Sequence, residues 1–203
     1  MLPQSLVMDK DHERRFLETL AQGLVSLPFD LKVLLEAVSD SDLEHSVREI
    51  AAAAVVHIIN PKDSNVDAPA RHAEDVVLLR LALAKIVAEG GQDAAAFRER
   101  FSENYANVDD ELKTFRETLG DLVDWLDGRW GILLKAVYAK KKISQFVDDE
   151  EVGTFLYDEG SKFGTNYPIS EKTLAGRLKQ AQPIVDHLIR KREQDKKKIT
   201  SSA

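Results

Sequence analysis

The stretch Val76-Val77-Leu78-Leu79-Arg80-Leu81-Ala82-Leu83-Ala84-Lys85-Ile86-Val87 decides the fold. Its apolar residues cover nearly every face of a helix, which marks a helix enclosed by other helices rather than one lying on a surface. The β-branched pair Val76-Val77 leaves a strand as the lesser alternative. Asp67 followed by Pro69 reads as the start of this helix, and Gly90-Gly91 as its end, so it spans about residues 70–89.

Upstream, Asn60-Pro61-Lys62-Asp63-Ser64-Asn65-Val66-Asp67-Ala68-Pro69 is the clearest break in the chain. Two prolines among turn-forming residues leave no continuous helix there. Before the break, Leu43, Val47, Ile50, Ala51, Ala54, Val55 and Ile58 recur at helical spacing, and the run Ala51–Ala54 permits close helix packing. The spacing of Phe16, Leu17, Leu20, Leu24 and Leu27 predicts a first helix over about 9–26, which Pro28 should end. Leu31, Leu34, Leu35 and Val38 then form a short helix of their own.

Downstream, a short helix is expected over 92–101, followed by a long one over 109–147. The seam of the long helix is Leu112, Phe115, Leu119, Leu122, Leu126, Trp130, Leu133 or Leu134, and Val137, weakened at Gly120, Gly128 and Gly131. Residues 148–167 read as irregular or as one short helix. A last helix, capped by Ser170 and kinked at Pro183, carries Leu174, Leu178, Ala181, Val185 and Leu188. The pattern predicts an all-α bundle of seven or eight helices with no convincing strand pair. Its expected parts are an N-terminal unit over 1–91, a helical extension over 92–189, and a basic, flexible tail over 190–203.

Composition excludes much chemistry. The 203 residues contain no cysteine, which removes disulfides, thiolate metal sites, iron–sulfur clusters and cysteine nucleophiles. No segment has the length and apolarity of a membrane span, and the start Met1-Leu2-Pro3-Gln4 lacks a signal-peptide pattern, so a soluble cytoplasmic protein is expected. The net charge of −7 is uneven. The tail, with six basic and two acidic residues, carries +4, and the remainder carries −11.

The residues from 31 to 87 resemble the YkvA-like family, a bacterial domain of unknown function. The resemblance rests on the helix end His57-Ile58-Ile59-Asn60, on Pro61-Lys62-Asp63, on Asp67 at the second aspartate, and on Glu74-Asp75 followed by Val76-Val77-Leu78-Leu79. It implies a small helical domain more than an activity. Lys62, Ser64 and Asn65 stand where the family has apolar residues, and Val66 stands in place of its second proline. The more polar loop weakens the membrane association suspected for that family.

Four clusters are candidates for function. His57, Asp63, Asp67, His72, Glu74 and Asp75 gather imidazole and carboxylate around the break, and Asp63, Asp67, His72 and Asp75 could together hold a metal. The alternative is helix capping by the same carboxylates. Neither Glu-x-x-His nor His-Glu-x-x-His occurs, which counts against the commonest helical metalloenzymes. The glycine-bearing residues 153–164 lack the phosphate-loop pattern and read as a turn-rich connector.

The third cluster is basic: Lys135, Lys140, Lys141 and Lys142, and in the tail Arg190, Lys191, Arg192, Lys196, Lys197 and Lys198. Such cations attract an anionic membrane surface or RNA, or rest on acidic protein surface. The tail lacks interleaved aromatics, so neither base stacking nor specific DNA recognition is expected. Trp125 and Trp130, with Tyr138, are the fourth: interaction anchors or core. With no nucleophile constellation and no cofactor motif, the sequence reads as a non-enzymatic helical interaction or scaffold protein, with a protein partner or a second copy bound through amphipathic helices. A metal enzyme or sensor, and membrane attachment through the tail, are the alternatives.

Overall fold

A computed structural model describes residues 9–60 and 66–201 of the chain. The helices in order are α1 (Lys10–Ser39), α2 (His45–Ile59), α3 (Ala68–Glu89), α4 (Ala94–Arg100), α5 (Ser102–Tyr105), α6 (Val108–Leu119), α7 (Asp121–Asp127) and α8 (Trp130–Leu133). A two-stranded ribbon follows, β1 (Val137–Tyr138) and β2 (Lys141–Lys142). Then come α9 (Gln145–Asp148), α10 (Glu150–Asn166), α11 (Glu171–Leu174) and α12 (Gln182–Ser201). The class is all-α, a multi-helical bundle.

Helix α3 is the centre. Every residue from His72 to Leu83 is buried, which is what an apolar surface on all faces demands. Helices α1, α2, α6 and α12 pack on it. The four alanines of α2 are all fully buried and let its backbone approach closely. One hydrophobic cluster runs from Phe16 in α1 to Leu188 in α12, so the extension packs on the N-terminal part through a shared core.

Several expectations are corrected. Pro28 does not end a helix but lies inside α1, which runs unbroken for 30 residues. A proline there removes one helical hydrogen bond and costs about 3 kcal/mol. Leu24, Leu27, Leu31 and Leu34 are buried on either side of it, and each contributes about 2 kcal/mol by burial, so continuity wins. The segment 148–167 is not irregular. Asp149 caps it, accepting from the Val152 amide at 3.1 Å, and α10 follows. Its glycines are not turn residues: a Cβ on Gly160 would stand 2.7 Å from Leu35 Cδ1, so glycine is what lets α10 lie against α1.

The long helix over 109–147 is broken. Gly120 adopts φ +53°, a left-handed conformation that separates α6 from α7, and the chain turns again between α7 and α8. It then forms the ribbon, with Val137 opposite Lys142 and Tyr138 opposite Lys141. The two linking residues, Ala139 (φ +48°) and Lys140 (φ +66°), both occupy the left-handed region of a tight hairpin turn. Asn-Gly would announce such a turn, and Ala-Lys does not.

Ser170 does cap a helix, through a capping box with Thr173, but that helix is the short α11. Pro183 kinks nothing, because it sits in the first turn of α12, where its missing N–H is not needed. The tail expected to be flexible continues α12 as helix through Ser201.

Candidate functional site

Four of the acidic and imidazole residues around residue 60 converge: His57, His72, Glu74 and Asp75. Glu74 and Asp75, adjacent on α3, are fully buried. His57, in the last turn of α2, places Nε2 3.1 Å from Glu74 Oε1 and 3.4 Å from Asp75 Oδ1. Arg129 donates to Glu74 Oε1, and Lys191, from α12, donates to Glu74 Oε2. Burial alone would raise the Glu74 pKa. The hydrogen bond and charge of His57, then the charges of Lys191 and Arg129, outweigh burial and hold the carboxyl well below its usual range. Arg129 also places Nε 3.1 Å from Asp195 Oδ2 and its guanidinium over the Trp125 ring, at 5.1 Å.

His72 Nδ1 lies 2.8 Å from Asp75 Oδ2. The imidazole meets Phe163 and Tyr167 edge-on and lines a cavity of about 260 Å³ with Tyr138 and Glu159. Burial, with Asp75 adding to it and Arg71 opposing, pushes the Tyr167 phenol up.

Of the four expected metal ligands, the structure brings His72 and Asp75 together. Asp67 does not join them: it is exposed and paired with Arg177. Nor does its side chain cap α3. Asp63 lies outside the described residues. Among the described residues, no group of three or more histidines or carboxylates is disposed to share a metal ion.

The tail cations are divided. Lys191 is committed to Glu74, and Arg192 donates to Asp121 Oδ2 at 2.7 Å. Arg190, Lys196 and Lys197 are exposed, Lys196 lying 3.1 Å from Glu193. The side chain of Lys198 lies outside the described residues. Trp130 is core rather than anchor: it is buried, and its Nε1–H donates to Asp127 at 2.9 Å. Trp125 is half-buried against the same core.

Two features escaped the sequence reading. The first is a second polar centre. Arg80, one and a half turns beyond Glu74 on α3, donates from Nη1 to Asp30 Oδ2 (2.7 Å), from Nε to Glu111, and from Nη2 to Ser26 Oγ (3.2 Å). Asn104 completes it by donating to Asp30 Oδ1 at 2.8 Å. Burial opposes the Arg80 charge, but Asp30 and Glu111 overcome it and raise the pKa. The available signals were a lone arginine in an apolar run and a lone aspartate beside Leu31.

The second is a groove of about 890 Å³ on the outer face of α1. Leu17, Ala21, Val25 and Phe29 form one wall, four residues apart, and Leu174, Ala175 and Leu178 face them. Phe29 is 72% exposed. Charges of both signs line the rim, Lys10, Arg14 and Lys179 with Glu13, Glu18 and Glu171. The signal for it was the outward row Leu17 to Phe29, hidden because Pro28 reads as a helix end.

No protein-family model, no curated protein and no solved structure matches this chain. Among the described residues no helix is long and apolar enough to cross a membrane.

Proposed function

We propose that the protein is a non-enzymatic interaction protein that docks an amphipathic helix of a protein partner in the groove between α1 and α11. The carrying observation is the groove itself, an apolar row with Phe29 open to solvent. From Leu17 to Phe29 the row spans about 18 Å, room for three turns of a partner helix. A helix lying in such a groove anchors through side chains at i, i+3 or i+4, and i+7, between charged rims. Burying an exposed phenylalanine contributes about 2 kcal/mol, enough to make Phe29 a dominant contact. The Arg80 centre supports a rigid platform on one side of the groove, because it ties α1 to α3 and α6 through Asp30, Ser26 and Glu111.

The test begins with co-purification from native cells at low salt, followed by binding measurements with the purified partner. Val25→Glu and Phe29→Asp are expected to weaken binding at least tenfold, and Lys197→Glu to leave it unchanged. Equal binding by all variants, or turnover of a substrate by the purified protein, contradicts the proposal.

A further inference from the structure

We propose that the β1–β2 ribbon and the turn before it form a docking surface for an anionic lipid bilayer. From Trp130 to Val147 the chain has four lysines and no acidic residue, within a protein of net charge −7. Among the described residues, none of Lys135, Lys140, Lys141 and Lys142 forms an ion pair, and Lys135, Lys140 and Lys142 are exposed. Two aliphatic side chains open to solvent lie in the same segment, Ile132 at 50% and Val137 at 60% exposed.

The ribbon sets the direction of this surface. Side chains opposite each other in an antiparallel pair lie on one face. Tyr138 and Lys141 share one face, and Tyr138 turns inward, donating to Glu159 Oε2 at 3.0 Å and packing on Phe155 with ring centroids 6.2 Å apart. Val137 and Lys142 therefore share the outward face. At the tip, Ala139 and Lys140 hold left-handed backbone that neither residue favours, which keeps the ribbon tight and Lys140 at its end. The result is an aliphatic point set among unpaired ammonium groups. Lysines meet the headgroup charge while short apolar side chains enter the interface. RNA is the poorer fit, because the segment exposes aliphatic rather than aromatic side chains and contains no arginine.

Vesicle co-sedimentation of the full chain tests this, using phosphatidylcholine vesicles with and without one-third phosphatidylserine. Each lysine at an anionic leaflet strengthens binding by about fivefold. The combined substitution Lys140→Gln, Lys141→Gln, Lys142→Gln is therefore expected to weaken binding at least about 25-fold, through its two outward lysines, and Val137→Ser severalfold. Arg190→Gln with Lys197→Gln should change it less than twofold at physiological salt, where remote charges are screened over about 8 Å. Circular dichroism confirms that each variant is folded. Should the triple substitution unfold the chain, Val137→Ser and the single Lys142→Gln decide, with severalfold losses expected from each. Equal binding to neutral vesicles, undiminished binding by the ribbon variants, greater loss from the tail variant, or binding of single-stranded RNA without vesicle binding would overturn the proposal.

Discussion

Lys191 and Arg192 in α12 meet carboxylates of the body, Glu74 and Asp121, whereas Lys140, Lys141 and Lys142 on the ribbon meet none among the described residues. Both segments read alike in sequence, as short runs of cations. Their surroundings separate them. The tail follows the buried row Ile184, Val185 and Leu188, so α12 is already held against α3 when its cations arrive over Glu74. The ribbon lies beyond a series of chain breaks and is tied to the body through Tyr138. Charge in the first segment is structural, and in the second it is offered outward.

Glu74 is where the hold of α12 on the body is most vulnerable. Glu74→Gln leaves His57, Arg129 and Lys191 around a neutral amide and should cost about 3–5 kcal/mol in urea denaturation. The pH dependence follows from the depressed pKa. A carboxyl held low when folded contributes stability above its unfolded value of 4.5, and that contribution is lost as pH falls through the folded value. The wild-type protein should therefore weaken below about pH 4.5, and the Gln variant should show a shallower acid limb.

Lys191→Met is the smaller test, because Glu74 keeps Arg129 and His57 as partners. A loss of about 1.5 kcal/mol is expected, with α12 amides losing hydrogen-exchange protection before those of α3. On the ribbon the sign reverses. Ala139→Asn with Lys140→Gly relieves two left-handed residues and should raise stability by about 1 kcal/mol in thermal denaturation. Neutralising Lys140, Lys141 and Lys142 should move stability by less than about 0.5 kcal/mol, since no partner is lost. A large destabilisation there would erase the contrast with the tail.

The central helix was legible because an apolar surface on every face admits one solution, and the Ser170 cap because its side-chain chemistry is local. What failed depended on distant contacts. Pro28 and Gly160 carry the local chemistry of breaks, and both lie within helices because buried leucines and the approach of α10 to α1 outweigh that preference. The ribbon lacked a turn-forming pair to announce it. The polar cluster was half legible: His57, His72, Glu74 and Asp75 stood out by type, but Arg129 and Lys191 reach Glu74 from 55 and 117 residues away, which no spacing reveals. The groove was hidden for the same reason as α1 itself.

Docking in that groove is tested most directly by a photoreactive residue placed at Ala21 or Val25 and irradiated in native cells, with Lys113 on the exposed face of α6 as the reference position. The groove positions should yield one discrete protein adduct that Phe29→Asp abolishes and the reference position does not form. No adduct from the groove, or the same adduct from Lys113, would contradict the account.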